Sequence, residues 1–79
     1  MDNQRETIRQ LLREILHQNN DNRAFSDTDS LIFSGRLQSV DVLEIVSFLE
    51  ERFGIDFSEG FDQSRFDSVE EITGMVGGE

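Results

Sequence analysis

The 79-residue chain has no cysteine, proline, lysine, tryptophan or tyrosine, and it has one histidine. The absence of cysteine excludes disulfides, thiolate nucleophiles and sulfur ligands, so the fold is stabilised by packing alone. The absence of lysine excludes Schiff-base chemistry, and the absence of tryptophan and tyrosine leaves phenylalanine as the aromatic residue for stacking. Because so few groups remain for independent catalysis, we expect a protein that is not an enzyme.

Long apolar runs are also absent. No segment approaches the roughly 20 apolar residues that cross a bilayer, and the N-terminus lacks the basic and then apolar order of a signal peptide. The sequence therefore predicts a cytoplasmic protein without membrane insertion. Its length predicts one domain over residues 1–79, with no internal linker.

The net charge of −10 is unevenly distributed. Residues 1–23 carry four acids and four arginines, whereas the rest of the chain carries 13 acids and three arginines. This acidity disfavours nucleic acid and anionic membranes and favours partners with basic surfaces. The alternative explanation is that the negative charge only keeps a small domain soluble.

Apolar spacing predicts a first helix over about 3–18 and a long loop over 19–38. The helix has apolar residues at i, i+3, i+4, i+7 and i+8, beginning at Ile8. Within the loop, Leu31 is expected to enter the core. The run from Asp27 to Asp29 resembles a calcium loop, but Ile32 replaces its glycine and Gln38 its glutamate, so no metal site is expected.

A second helix is predicted over about 39–53, with two different faces. Its core face is expected to hold Val42, Val46, Leu49 and Phe53, with Leu43 and Ile45 at the edges. The opposite face is expected to hold Asp41, Glu44, Phe48 and Glu51, with Val40 at the helix start and Glu50 toward one flank. A carboxylate stripe around an exposed Phe48 has the outline of a docking surface; a solvated face with Phe48 under a neighbouring loop is the alternative.

The remainder predicts a short helix at about 60–65 and a last helix at about 68–76. Ser68 and Glu71 have the spacing of a capping box, and Gly77 and Gly78 are expected to end the last helix. The predicted fold class is therefore all-α, a small antiparallel four-helix bundle. It has three main helices and one short helix, which is the third in chain order.

The segment from Leu37 to Ile55 resembles the signature of acyl carrier proteins. In that family a modified serine opens an acidic, leucine-rich helix, which closes here with Leu-Glu-Glu-Arg-Phe-Gly-Ile. The resemblance implies an acyl-carrier-like fold, and it implies that a phosphopantetheinyl transferase attaches 4'-phosphopantetheine to Ser39. It further implies that the thiol of this arm carries an acyl or aminoacyl group as a thioester.

The resemblance also implies which surface partner enzymes recognise. Asp41, Glu44, Glu50 and Glu51 match positions where carrier proteins meet basic patches, and Val40 would add apolar contact. The implied partners are a loading ligase and downstream biosynthetic enzymes. The carrier is expected to be a monomer that binds each of them in turn. Phe48 is predicted to insert into an apolar hollow of a dedicated partner.

Two residues beside Ser39 depart from the family pattern. Gln38 replaces the usual aspartate and Val40 the usual leucine, which favours a specialised biosynthetic pathway over general fatty-acid synthesis. The alternative function is a non-catalytic acidic interaction module or degenerate carrier, in which Ser39 is only a helix cap.

Overall fold

A computed structural model describes residues 3–76 of the protein. Three α-helices, α1 (Asn3–Gln18), α2 (Ser39–Phe53) and α3 (Val69–Met75), are joined by loops that include a 3-10 helix (Gln63–Phe66). No strand occurs within residues 3–76. The all-helical class is confirmed, and the arrangement is consistent with a small helical bundle.

α1 and α2 occupy the ranges that the apolar spacing predicted, but the later elements differ. The short helix begins at Gln63 rather than near residue 60, because Gly60 adopts a positive φ of 108° and the Asp62 side chain caps the turn by accepting from the Ser64 N–H. α3 begins after Ser68, whose Oγ accepts from the Glu71 N–H at 3.2 Å, as the capping box predicted. Gly77 and Gly78 lie outside the described residues.

One apolar core joins all these elements. α1 contributes the stripe that begins at Ile8, and the long loop contributes Leu31 and Leu37, which are 0% and 3% exposed. Phe66 of the 3-10 helix is fully buried against them. Leu31 therefore enters the core as expected, and it draws the loop onto the helices.

The predicted faces of α2 require correction. The buried residues are Asp41, Val42, Ile45, Val46 and Leu49. Ile45 is 0% exposed, whereas Leu43 is 58% exposed, although the spacing placed both at the edges of the core face. The buried face of α2 is centred closer to Ile45 than the apolar spacing predicted. Leu43 therefore faces solvent, and Asp41 faces the rest of the protein.

Two aspartates hold the long loop in place before α2. Asp21 accepts from Arg36 Nε at 2.7 Å, and this guanidinium also donates to the Arg23 carbonyl at 2.8 Å. Asp27 accepts from Arg9 Nε and Nη2, both at 2.7 Å, and its carbonyl accepts from the Glu70 N–H at 2.9 Å. Asp27 thus links the loop to both α1 and α3.

We expect this Asp27 link to make the fold acid-sensitive. The hydrogen bonds from Arg9 hold the pKa of the Asp27 carboxyl below its ordinary value, with a further contribution from Arg5. An unfolded aspartate has a pKa of about 3.9, so the unfolded chain takes up this proton first as the pH falls. The stabilisation is complete above that pKa and is lost as the pH falls through the lower pKa of the folded state.

Asp27→Asn is therefore expected to lower the melting temperature at pH 7 and to weaken its decrease between about pH 5 and 3. Thermal unfolding followed by circular dichroism across this range measures both effects. Glu44→Gln, which removes an exposed carboxylate of α2, is the control. An equally steep acid response in Asp27→Asn and the natural protein would contradict the role given to Asp27.

Candidate functional site

The start of α2 presents the Ser39 hydroxyl on the surface. The N-cap is Gln38, whose extended backbone precedes Ser39 as the first helical residue. Asp41 makes the capping contact, because its Oδ2 accepts from the Gln38 N–H at 2.9 Å. The interpretation of Ser39 as a helix cap is therefore wrong.

The Ser39 hydroxyl instead contacts the 3-10 helix. Its Oγ accepts from Gln63 Nε2 at 3.1 Å, and both residues are exposed. Sequence reasoning missed Gln63 because 24 residues separate it from Ser39 and no periodic signal relates the two. The hydroxyl is therefore exposed and hydrogen-bonded to the 3-10 helix.

The helix start next to this hydroxyl also offers groups that can bind an anion. The first N–H groups of an α-helix lack intrahelical acceptors, and the helix dipole places partial positive charge there. The Asp41 N–H is already bonded to the Gln38 carbonyl at 2.9 Å, which leaves the N–H groups of Ser39 and Val40 at the helix start. With the Gln63 amide, they can donate to an anion attached at Ser39.

Asp41 does not lie on the exposed acidic face where the sequence analysis placed it. It is 7% exposed, and its Oδ2 accepts from Asn19 Nδ2 at 2.8 Å as well as from the Gln38 N–H. This single carboxylate thus connects the end of α1 with the start of α2. Its geometry is that of a structural residue rather than a docking contact.

Phe48 also differs from its predicted position. It is half-buried, packs against the core and lines a groove between α1 and α2 with Leu11 and Arg52. The Arg52 guanidinium carbon lies 5.7 Å from the centre of the Phe48 ring. The side chain therefore faces α1, and the prediction that it projects from the acidic face is wrong.

The outer face of α2 has a different composition from the one predicted. Val40 is 66% and Leu43 is 58% exposed, and Ser47 lies on the same strip one turn farther on. Exposed carboxylates flank this apolar strip, with Glu44 and Glu51 on one side and Glu50 on the other. Glu50 also accepts from the Phe57 N–H at 3.3 Å, which holds the following loop.

Neither a metal centre nor a membrane span is found in the described part of the chain. No group of three potential ligands among histidine and acidic residues in 3–76 could hold a metal ion. Within the same range, no helix combines the length and the apolar character needed to cross a bilayer.

Comparisons with protein-family models, with curated proteins and with solved structures give no match. The site itself combines three features: an exposed serine hydroxyl at a helix start, a donor from the 3-10 helix beside it, and an apolar strip with acidic flanks.

Proposed function

We propose that the protein is a carrier that bears an acyl or aminoacyl group as a thioester on 4'-phosphopantetheine attached to Ser39. The observation that carries this proposal is the Ser39 hydroxyl, which is exposed at the first position of α2 while Asp41 makes the cap. A serine needed for capping would have its oxygen engaged by the helix. The Ser39 hydroxyl is not needed as the cap of α2, because Gln38 and Asp41 form that cap.

The residues around Ser39 fit a phosphodiester. The N–H groups at the start of α2 and the Gln63 amide supply donors, and the nearest carboxylate along the chain, Asp41, is buried and hydrogen-bonded. The added anion therefore meets donors at the helix start. The arm would supply a thiol, which this cysteine-free chain lacks.

Attachment needs no catalytic group on the chain itself. Ser39 Oγ attacks the phosphorus that bears the pantetheine group in coenzyme A and forms a new O–P bond. The pyrophosphate P–O bond breaks, and adenosine 3',5'-bisphosphate leaves. The hydroxyl proton passes to a base on the transferase, so no histidine or carboxylate beside Ser39 is required.

The proposed docking surface is the outer face of α2. It comprises the apolar strip of Val40 and Leu43 and the flanking Glu44, Glu50 and Glu51. These carboxylates complement basic patches on the transferase, on the loading ligase and on downstream enzymes, and they mainly set the rate and orientation of encounter. The same proposal includes a four-helix acyl-carrier fold and a cytoplasmic location. It also includes a monomeric state and a role in a specialised biosynthetic pathway.

Intact-mass analysis tests the proposal. After incubation with a broad-specificity phosphopantetheinyl transferase, coenzyme A and magnesium, the natural protein is expected to gain one phosphopantetheine group. Ser39→Ala is expected to gain none while keeping its fold, because Ser39 does not cap α2. The absence of an adduct under conditions that load a known carrier would favour an interaction module that carries no cargo.

A further inference from the structure

The contact between Gln63 and Ser39 joins the attachment residue to an element that is fixed at both ends. Asp62 caps the 3-10 helix by accepting from the Ser64 N–H at 3.1 Å and from its hydroxyl at 2.8 Å. At the other end, Phe66 is fully buried. Gln63 is therefore presented to Ser39 from a support that is anchored on both sides.

Asp67 fixes this support to the loop that precedes α2. Its Oδ1 accepts from the N–H groups of Ile32 and Phe33 at 2.7 and 3.2 Å, and its carbonyl accepts from the Leu31 N–H at 2.8 Å. The 3-10 helix thus has anchors that are independent of Ser39. Its position does not require the bond to the hydroxyl, so the Gln63 amide is available for another acceptor.

Attachment of the arm changes what Ser39 offers to Gln63. The free hydroxyl can donate and accept, whereas Oγ in a phosphodiester has no proton and can only accept. The non-bridging phosphoryl oxygens next to it are anionic, and hydrogen bonds to an anion are shorter and about twice as strong as neutral ones. An amide donor within 3.1 Å of Oγ reaches these oxygens with a small side-chain rotation.

We propose that Gln63 is a positioning residue that holds the Ser39 hydroxyl before loading and binds the phosphodiester afterwards, so that the 3-10 helix fixes the root of the arm. This inference rests on the proposed attachment at Ser39 and adds a regulatory feature to it. Loading strengthens the connection between the 3-10 helix and α2. The direction in which the arm leaves the surface is then set by Gln63 as well as by the helix start.

Gln63 variants test this role by comparing each protein before and after loading. Gln63→Leu removes the donor at similar size, and Gln63→Glu places a carboxylate beside the phosphodiester. The melting temperature of the natural protein is expected to rise by about 4 °C on loading. This rise should be smaller in Gln63→Leu, where the N–H groups at the start of α2 are the remaining donors, and become a decrease in Gln63→Glu. Gln10→Glu adds the same charge at an exposed position of α1 and should leave the rise unchanged.

A second measurement separates direct contact from general stabilisation. The Gln63 side-chain amide signals in a proton–nitrogen correlation spectrum are expected to move downfield on loading, whereas those of Gln10, an exposed residue of α1, should not move. Unchanged Gln63 signals, or the same loading effect on melting in all Gln63 variants, would overturn the role of Gln63 while leaving attachment intact. A natural protein that gains no adduct would overturn the attachment, and this inference would fall with it.

Discussion

Phe66→Ala is expected to lower the free energy of unfolding by about 3–5 kcal/mol. The Phe66 side chain is fully buried, and its ring centre lies 5.9 Å from that of Phe57 and 5.5 Å from that of Phe61. A chain of this length has a total stability of about 4–12 kcal/mol. The cavity left by this one ring therefore removes a large share of the stability.

Phe33→Ala is the matched control for this prediction. Phe33 is 76% exposed, so the same substitution there is expected to change stability by less than about 0.5 kcal/mol. Urea unfolding followed by circular dichroism measures the free energy of unfolding of both variants. If Phe66→Ala does not fold, Phe66→Leu replaces it, with a smaller expected loss of stability. Equal losses in Phe66→Ala and Phe33→Ala would contradict the packing described for the 3-10 helix.

Asp41→Ala is expected to cost about 1–3 kcal/mol, because it leaves two donors without their acceptor. These donors are the Gln38 N–H, at 2.9 Å, and Asn19 Nδ2, at 2.8 Å. The loss should fray the start of α2 and disturb Ser39. Phosphopantetheine transfer to this variant is therefore expected to be slower as well.

Two further variants separate the structural role of Asp41 from recognition by charge. Asp41→Asn keeps an acceptor oxygen without the charge, so it should be more stable than Asp41→Ala. Glu44→Gln removes an exposed charge and should leave stability within about 0.5 kcal/mol while reducing the rate of encounter with the transferase. Full stability of Asp41→Ala together with slow transfer would instead assign Asp41 to docking.

The sequence predicted the long helices because their apolar spacing is regular. The stripe that begins at Ile8 repeats over more than two turns and specifies α1, and the run after Ser39 specifies α2. The short element was less predictable. Its start depends on the conformation of Gly60 and on the Asp62 cap, which are local interactions that leave no periodic pattern.

The site was predictable in part, since Ser39 and the exposed glutamates follow from the order of residues along α2. Asp41 and Phe48 were misplaced because a helical projection shows which residues share a face but not which neighbours cover it. Asn19 and the Gln38 N–H draw Asp41 inward. α1 covers Phe48, whereas Leu43 on the other side of α2 is exposed.

The contact with Gln63 could not be predicted from either residue alone. It depends on the 3-10 helix reaching the start of α2, and that position is set by Phe66 in the core and by Asp67 at the loop. Contacts between distant parts of a chain require the packed fold. The same packing that stabilises the protein therefore decides what lies beside the candidate attachment residue.

The most direct test of the account is to locate the adduct among the eight serines of the chain. The natural protein is loaded with coenzyme A by a broad-specificity transferase, digested, and fragmented in a mass spectrometer that retains the phosphodiester. Ser47→Ala is loaded in parallel, because Ser47 lies exposed on the same helix. One phosphopantetheine on Ser39 is expected in both proteins, whereas an adduct on any other serine, or no adduct at all, would contradict the proposed attachment.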